Sequence, residues 1–292
     1  MMIGWDISRW YFDSPKDWFT VWGLGYPGVW IFVIFWIFAF GACIGSFLNV
    51  CIWRIPRGES LSKASSHCTV CGNPIRWFDN IPVLSYLVLR GRCRACRTPY
   101  SSSYFWVELI CGLLTAMVVV KTGLTEQLPG VIPARILMIF FGISCAMTDI
   151  RFRVVPDKLT YSGMFFALIA ACFFPETQMA ANGWYSLLNT LASGVIPAVL
   201  LAVFAEVCRL FCSREVIGYG DVKFVALCGM LLGLPGAFFA LLTGSVAGSL
   251  WGLAVKRRMD ASLPFVPFIT LGAWIWIFCD RQILDVFKMI YW

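Results

Sequence analysis

A single histidine, His67, occurs in the 292 residues of the chain. That scarcity leaves serine–histidine–aspartate and cysteine–histidine catalysis very little to work with. It excludes an HExxH zinc protease outright, and no glycine-rich phosphate loop of the Walker type is present. Charge is scarce as well. Asp, Glu, Lys and Arg make up 13% of the chain and hydrophobic residues 60%, whereas ordinary soluble domains are about 25% charged and about 45–50% apolar. A soluble globular protein is therefore excluded. Whole loops lack basic residues: 121–130 holds Lys121 alone, and 176–186 holds none. Neither an internal repeat nor a low-complexity segment is visible.

What the sequence does contain is membrane-crossing material. A helix needs about 20 apolar residues to cross the hydrocarbon. The stretches 28–52, 104–120, 131–148, 159–175, 187–208, 222–234, 236–255 and 265–287 predict about eight transmembrane helices in an all-α polytopic membrane protein. The sixth is short and interrupted by glycine, so seven is the competing count. Trp and Tyr gather at expected interfaces, from Trp22 to Trp36 and at Trp274, Trp276, Tyr291 and Trp292. Residues 1–27 lack an apolar run, so no cleavable signal peptide is expected and the first span reads as an uncleaved anchor.

Lys and Arg in short loops mark the cytoplasmic side. Residues 53–103 carry Arg54, Arg57, Lys63, Arg76, Arg90, Arg92, Arg94 and Arg97; later come Arg151, Arg153, Lys158, Arg209, Arg214 and Lys256 to Arg258. With eight spans these loops alternate correctly and place both termini outside. The net charge of +7 belongs mainly to this face, so it reports insertion topology and not nucleic-acid binding.

The cytoplasmic loop between the first two spans, 53–103, holds Cys68-Thr69-Val70-Cys71 and, after 21 intervening residues, Cys93-Arg94-Ala95-Cys96. Paired CxxC knuckles suit tetrahedral thiolate coordination, and a cytoplasmic setting argues against stable disulfides. Cys68, Cys71, Cys93 and Cys96 are the expected ligands of a structural zinc, a staple for a loop too small to hold its own core. His67 adjoins the first cysteine and reads as incidental. The other cysteines lie mostly in apolar spans, where cysteine is a small hydrophobe.

Two aspartates stand where spans meet water: Asp149 after Ala146-Met147-Thr148, and Asp221 in Gly218-Tyr219-Gly220-Asp221. Ionisable groups near bilayer depth are costly and carry functional hypotheses. Two carboxyls that can share a proton are the minimum equipment for activating water against a peptide bond. The bland reading of Asp149 is a carboxylate snorkelling beside Arg151 and Arg153, although a helix C-terminus is poor for an anion. Asp221 precedes a helical run and could cap it, but Gly218 and Gly220 favour a close backbone approach or positive φ. Asp157, after Val155-Pro156 and before Thr160, is expected to be a helix N-cap.

These pieces stand in a specific order. Gly45-Ser46-Phe47-Leu48-Asn49-Val50 comes first, then the two CxxC pairs with Asp79-Asn80-Ile81-Pro82-Val83-Leu84-Ser85-Tyr86 between them. Arg90-Gly91-Arg92-Cys93 and Val107-Glu108-Leu109 follow, then Asp149 with Val155-Pro156-Asp157. Gly218-Tyr219-Gly220-Asp221-Val222-Lys223 and Pro264-Phe265-Val266-Pro267-Phe268 complete the set. In this order the chain, from about residue 40 to about residue 275, resembles the type IV prepilin peptidases. These are the bifunctional leader peptidases and N-methyltransferases of bacterial pilus and type II secretion systems. Thr69, Val155 and Tyr104-Phe105 depart from the usual pattern at positions without a proposed catalytic role.

The resemblance implies a GxGD aspartic protease of the inner membrane, with Asp149 and Asp221 as the dyad at the cytoplasmic edge. The implied substrates are prepilins and pseudopilins, with a basic leader in the cytoplasm and an apolar helix among membrane lipids. It further implies N-methylation of the new N-terminus with S-adenosylmethionine, with Gly91 and Glu108 at family motif positions; no nucleotide-binding signature is legible. Two modules are expected, 1–125 with the anchor and cysteine loop and 126–292 with the peptidase bundle. The rival reading is an ion-coupled transporter, or a non-enzymatic zinc-knuckle scaffold.

Overall fold

In the computed structural model the described residues are 27–61, 66–124, 130–178, 182–212, 217–255 and 263–291. They form α1 (Pro27–Arg54), α2 (Leu84–Leu89), α3 (Ser103–Leu124), α4 (Val131–Phe152), α5 (Asp157–Phe173), α6 (Gly183–Cys212), α7 (Tyr219–Val255) and α8 (Val266–Tyr291). No strand occurs among the described residues beyond two isolated bridges. The expected anchor is α1. Residues 1–26, where no cleavable signal is expected, lie outside the described residues, as do Trp22, Lys63, Arg214, Lys256 to Arg258 and Trp292.

Five helices, 29–57, 103–123, 131–152, 183–211 and 219–254, are long and apolar enough to cross a membrane. A helix is the natural state of such segments, because in lipid every backbone N–H and C=O must find its partner within the chain. Their outward faces are apolar, as at Ile31, Phe35 and Trp36 on α1 and Val195, Val199 and Val203 on α6. Small residues set the helix spacing. A Cβ on Gly45 would stand 2.9 Å from the Cα of Glu108, and one on Gly41 2.7 Å from Thr115 Oγ1, so α1 and α3 pack backbone to backbone and antiparallel. The most enclosed helix is α4, with Met138, Ile139 and Cys145 fully buried. It packs on α1, α3, α5, α7 and α8 and carries Asp149 in its last turn.

The expected sixth and seventh spans form one element, α7, which breaks at Gly233 (φ 76°, ψ 172°) just before Pro235. Positive φ suits glycine, and proline has no N–H to continue the helix. The Gln178 side-chain amide donates to Met230 O at 2.9 Å, satisfying a carbonyl freed by the break. Packing against α8 shows that the chain reverses there. Gly236 abuts Trp276, Gly244 abuts Ile269 and Gly248 lies near Phe268 and Phe265. The second arm therefore returns to the end of the bundle where α8 begins, which is also the end where α7 started. The first arm, 219–232, rises only about 21 Å, less than the hydrocarbon thickness of about 30 Å.

At the opposite end, three elements meet in an ion cluster. Lys121 Nζ lies 2.7 Å from Asp280 Oδ1, and Arg135 Nη2 lies 2.5 Å from Asp280 Oδ2. Lys121 also donates to Ile277 O at 2.6 Å. These side chains are largely buried and tie α3 to α4 and α8. Asp280→Ala should therefore leave two enclosed cations without their shared anion, at a cost of about 3–5 kcal/mol. Thermal unfolding in detergent should show a clearly lowered midpoint; an unchanged midpoint would mean the cluster contributes no net stability.

Candidate active site and metal centre

The cysteine loop folds as two matching knuckles. Cys68 N–H donates to Asn73 O and Gly72 N–H to Cys68 O, both at 2.9 Å. In the second knuckle Cys93 N–H donates to Thr98 O at 2.9 Å and Arg97 N–H to Cys93 O at 3.0 Å. Each closes with a bridge, His67 to Pro74 and Arg92 to Pro99. Gly72 and Arg97 occupy equivalent left-handed positions, at φ 70° and φ 59°. The reading that no internal repeat exists is thus corrected at short range: the C-x-x-C-x-x-P pattern recurs, and seven residues were too few to stand out.

The four sulfurs lie within 4.8 Å of one another, with Cys68 and Cys96 Sγ 3.8 Å apart. A tetrahedral site with metal–sulfur bonds of about 2.3 Å has edges of about 3.8 Å, so the cluster is built to the size of a metal ion. His67 is not part of it. Hydrogen bonding with Thr98, through its side chain and then its backbone, holds the Cys96 thiol down at about 6. The amides of Cys71 and Val70 lower Cys68. Thiolates are the form that binds metal. Arg94, inside the second knuckle, clasps Asp79 at 2.6 Å and 2.8 Å and fastens the 77–80 turn to it.

Asp149 and Asp221 come together at the end of the bundle nearest this loop. The Asp149 side chain does not snorkel: the residue is 7% exposed, and its Oδ2 accepts the Val266 N–H at 3.1 Å. Arg151 turns away to the Ser103 hydroxyl, and Arg153 closes α4 in a left-handed conformation, its N–H on Asp149 O. The carboxylate thus stands at the negative end of α4 but is aimed at the positive end of α8, where unpaired N–H groups favour an anion. Asp221 occupies the first turn of α7, and its Oδ2 accepts the Gly218 N–H at 3.2 Å. That is half of a capping box, so its expected capping contact is present. The charge of Asp149 is felt at Asp221.

The two carboxyls are locked together through the α4–α5 connection. A Cβ on Gly220 would stand 2.9 Å from Val155 Cβ, whereas one on Gly218 would meet nothing closer than 3.6 Å. Close approach, and not positive φ, is what Gly220 supplies. Asp157 is not the N-cap of α5. Pro156 holds that position without a side-chain cap bond, and Asp157 instead pairs with Lys223 at 2.6 Å. The Asp157 carboxylate is engaged by the Lys223 ammonium on α7, and nothing in the local spacing signals a partner so distant in the chain. The Val266 amide was likewise missed as a contributor; its only signal was the position of Val266 between Pro264 and Pro267. Beside the Asp221 turn lies a hollow of about 360 Å³ between α6 and α7, where Tyr219 donates to Glu206 at 3.3 Å.

Glu108 and Gly91 do not join the carboxyl pair. Glu108 is buried on α3 and accepts the Val83 N–H at 2.8 Å. Gly91 is buried at φ 64°, and a Cβ there would meet the Tyr86 ring at 2.8 Å. Gly220→Ala should overpack the contact with Val155 and lower stability by about 1–3 kcal/mol, while Gly218→Ala should cost less. Thermal unfolding of both variants checks the order, and a reversed order would refute the close-approach account.

The Bacterial Peptidase A24 N-terminal domain matches residues 39–122, and the Type IV leader peptidase family matches residues 136–253. A Myxococcus xanthus protein named prepilin leader peptidase/N-methyltransferase is 35% identical over 237 residues, covering 80% of this chain and 67% of its own length. Proteins of the same name from Pseudomonas putida and Xanthomonas campestris are 29% and 27% identical, covering 83% and 90% of this chain and 89% and 94% of their own lengths. No solved structure matches the chain. With an aspartate pair and a four-cysteine knuckle at one end of an apolar helical bundle, the chain belongs to the type IV leader peptidase family.

Proposed function

We propose that the chain is a multi-pass inner-membrane enzyme that removes the leader from prepilins and then N-methylates the exposed amine. Family membership supports both activities. The observation that carries the proteolytic half is that the Asp149 and Asp221 carboxylates, at the same end of the bundle, each accept a backbone N–H at a helix N-terminus. Two adjacent carboxyl groups cannot both ionise cheaply, so one keeps a proton while the other takes one from water. The water oxygen attacks the scissile carbonyl, and the protonated partner donates to the developing oxyanion. Collapse of the tetrahedral intermediate breaks the C–N bond and returns the proton to the leaving amine.

The site reads as lying at the cytoplasmic edge. Arg54, Arg57 and Arg151 surround the same end of the bundle, and basic residues mark the cytoplasmic side. Eight crossings fit this orientation, with the two arms of α7 counted separately. Substrates would be prepilins and pseudopilins whose apolar helix stays among membrane lipids while the leader reaches Asp149 and Asp221. Residues 1–125 and 126–292 are read as methyltransferase and peptidase modules, a division supported by the separate family matches on either side.

In the cysteine loop, Cys68, Cys71, Cys93 and Cys96 would hold zinc as a structural staple, since four thiolates leave no open coordination position. S-adenosylmethionine would supply the electrophilic methyl group. The amine left by proteolysis is its acceptor, and the cysteine loop with its flanking helices is the region assigned to that step.

Asp149→Asn or Asp221→Asn should abolish leader cleavage while preserving membrane insertion, because asparagine keeps the shape and loses the base. Full cleavage by either variant in a detergent assay sinks the dyad. Elemental analysis should find about one zinc per chain, lost from the Cys68→Ser/Cys93→Ser variant; a normally folded protein with four freely alkylated thiols and no metal would refute the staple. Cleavage needs no methyl donor in this mechanism. Gel shift for leader removal and mass spectrometry of the mature N-terminus, with and without S-adenosylmethionine, should show cleavage in both and methylation only with the donor. Strict dependence of cleavage on the donor would contradict the separation.

A further inference from the structure

The cysteine loop does not stay clear of the helical bundle along its whole length. Glu108 lies beyond the first turn of α3, opposite Gly45 on α1, whereas α1 continues to Arg54. At a rise of about 1.5 Å per residue, that level is about 13 Å inside the end of α1. Glu108 Oε2 accepts the backbone N–H of Val83 at 2.8 Å. The Glu108 side chain leans toward the start of α3, so the loop leaves its knuckles, returns to the first turns of α3 and turns there. The turn is tight: Leu84 N–H donates to Pro82 O at 2.6 Å around Val83, at φ 63° and ψ −52°. A β-branched residue adopts that conformation only when its surroundings impose it, and the Glu108 carboxylate does so here.

From this turn the chain climbs outward as α2. One face is occupied, with the Tyr86 ring 5.2 Å from Phe105 and 5.3 Å from Tyr100. The other face presents Leu84, Leu87 and Val88, which are 52%, 58% and 65% exposed. Their i, i+3, i+4 spacing puts all three on one side. Arg90 and Arg92 follow immediately, and Trp77, 81% exposed, stands just before the turn. Exposed apolar residues on one side, arginines directly after them and an exposed tryptophan before the turn form the pattern of a segment lying in a lipid interface.

We propose that Ile81–Leu89 is a re-entrant interfacial segment seated in the acyl region of the cytoplasmic leaflet, fixing the cysteine knuckles against the membrane surface. This rests on the membrane orientation read above and is independent of the chemistry assigned to Asp149 and Asp221. The occupant is lipid, because this exposed apolar face stands on a helix packed beside α3, whose own outward residues Trp106, Ile110 and Leu113 are apolar as well.

The test is site-specific photo-crosslinking of the full chain in phosphatidylcholine/phosphatidylglycerol vesicles. p-Benzoylphenylalanine is placed at Leu87, or at Val70, an exposed residue of the first knuckle, and adducts are read by mass spectrometry. Lipid adducts should be about tenfold more abundant at Leu87 than at Val70. Equal yields at the two positions, or adducts to protein alone at Leu87, would overturn the proposal. Glu108→Ala, which releases the Val83 turn, should cut the Leu87 lipid adducts severalfold, whereas Glu108→Gln should retain them. If Glu108→Ala fails to fold, the comparison of Leu87 with Val70 still decides. Leader cleavage, assayed on the same vesicles, reports separately on the aspartate reading.

Discussion

A carboxylate at the C-terminal end of a membrane helix faces two electrostatic difficulties. It is near low-dielectric lipid, and it meets the negative end of its own helix. Asp149 is in this position, and the hydrogen bond from Val266 N–H is what makes the position tenable. Much of the architecture follows from bringing that amide to that carboxylate. The start of α8 must reach the end of α4, and the start of α7 must reach it as well, because Asp221 lies there. A single crossing between Asp221 and Val266 would leave the two at opposite ends. The intervening chain therefore crosses and returns, and the break at Gly233 with Pro235 after it is the device that turns it.

The two halves of the chain are joined at both ends of the bundle. Away from the carboxyl pair, the Lys121–Asp280–Arg135 cluster ties α3 to α4 and α8. Near the pair, Arg57 lies over the Trp53 ring at 3.5 Å and near Phe152 at 4.8 Å, and Arg151 reaches Ser103. Between these ends, Leu48, Cys51, Val107 and Cys111 belong to the same buried cluster as Met138, Phe224 and Ile269. The buried core thus runs without a break through both proposed modules.

The long apolar helices, the cysteine knuckles and the shared level of the two aspartates were legible, because each depends on local composition or short spacing. Against eight expected crossings, however, only five helices among the described residues meet the length and apolarity of a span. Apolar runs announce helices to within a few residues, and CxxC pairs announce a metal-sized cluster. What stayed hidden depends on contacts between distant segments. Asp157 has a good capping sequence around it, yet its partner is Lys223 on another helix. The glycines of the GxGD segment suggested positive φ or close approach; only close approach at Gly220 is realised, and only because Val155 is there. Backbone donors are the least visible of all. Neither Val266 nor Val83 has a side chain that signals a hydrogen bond, although each N–H neutralises part of a buried carboxylate.

Glu108 and Asp149 answer the same physical problem with different consequences. Both are carboxyl groups buried near the same end of the bundle, and both accept a backbone N–H from another segment. Glu108 receives its donor from a strained turn without a second carboxyl beside it, so its side-chain oxygen holds a loop in place. Asp149 receives its donor from a relaxed helix start and has Asp221 within electrostatic reach. The proposed peptide hydrolysis uses a pair of carboxyl groups, one as base and one as acid; holding a turn needs a single acceptor with its lone pairs occupied. The difference between a reactive carboxylate and a structural one therefore lies in what stands opposite it, which is a property of the folded bundle and not of either residue.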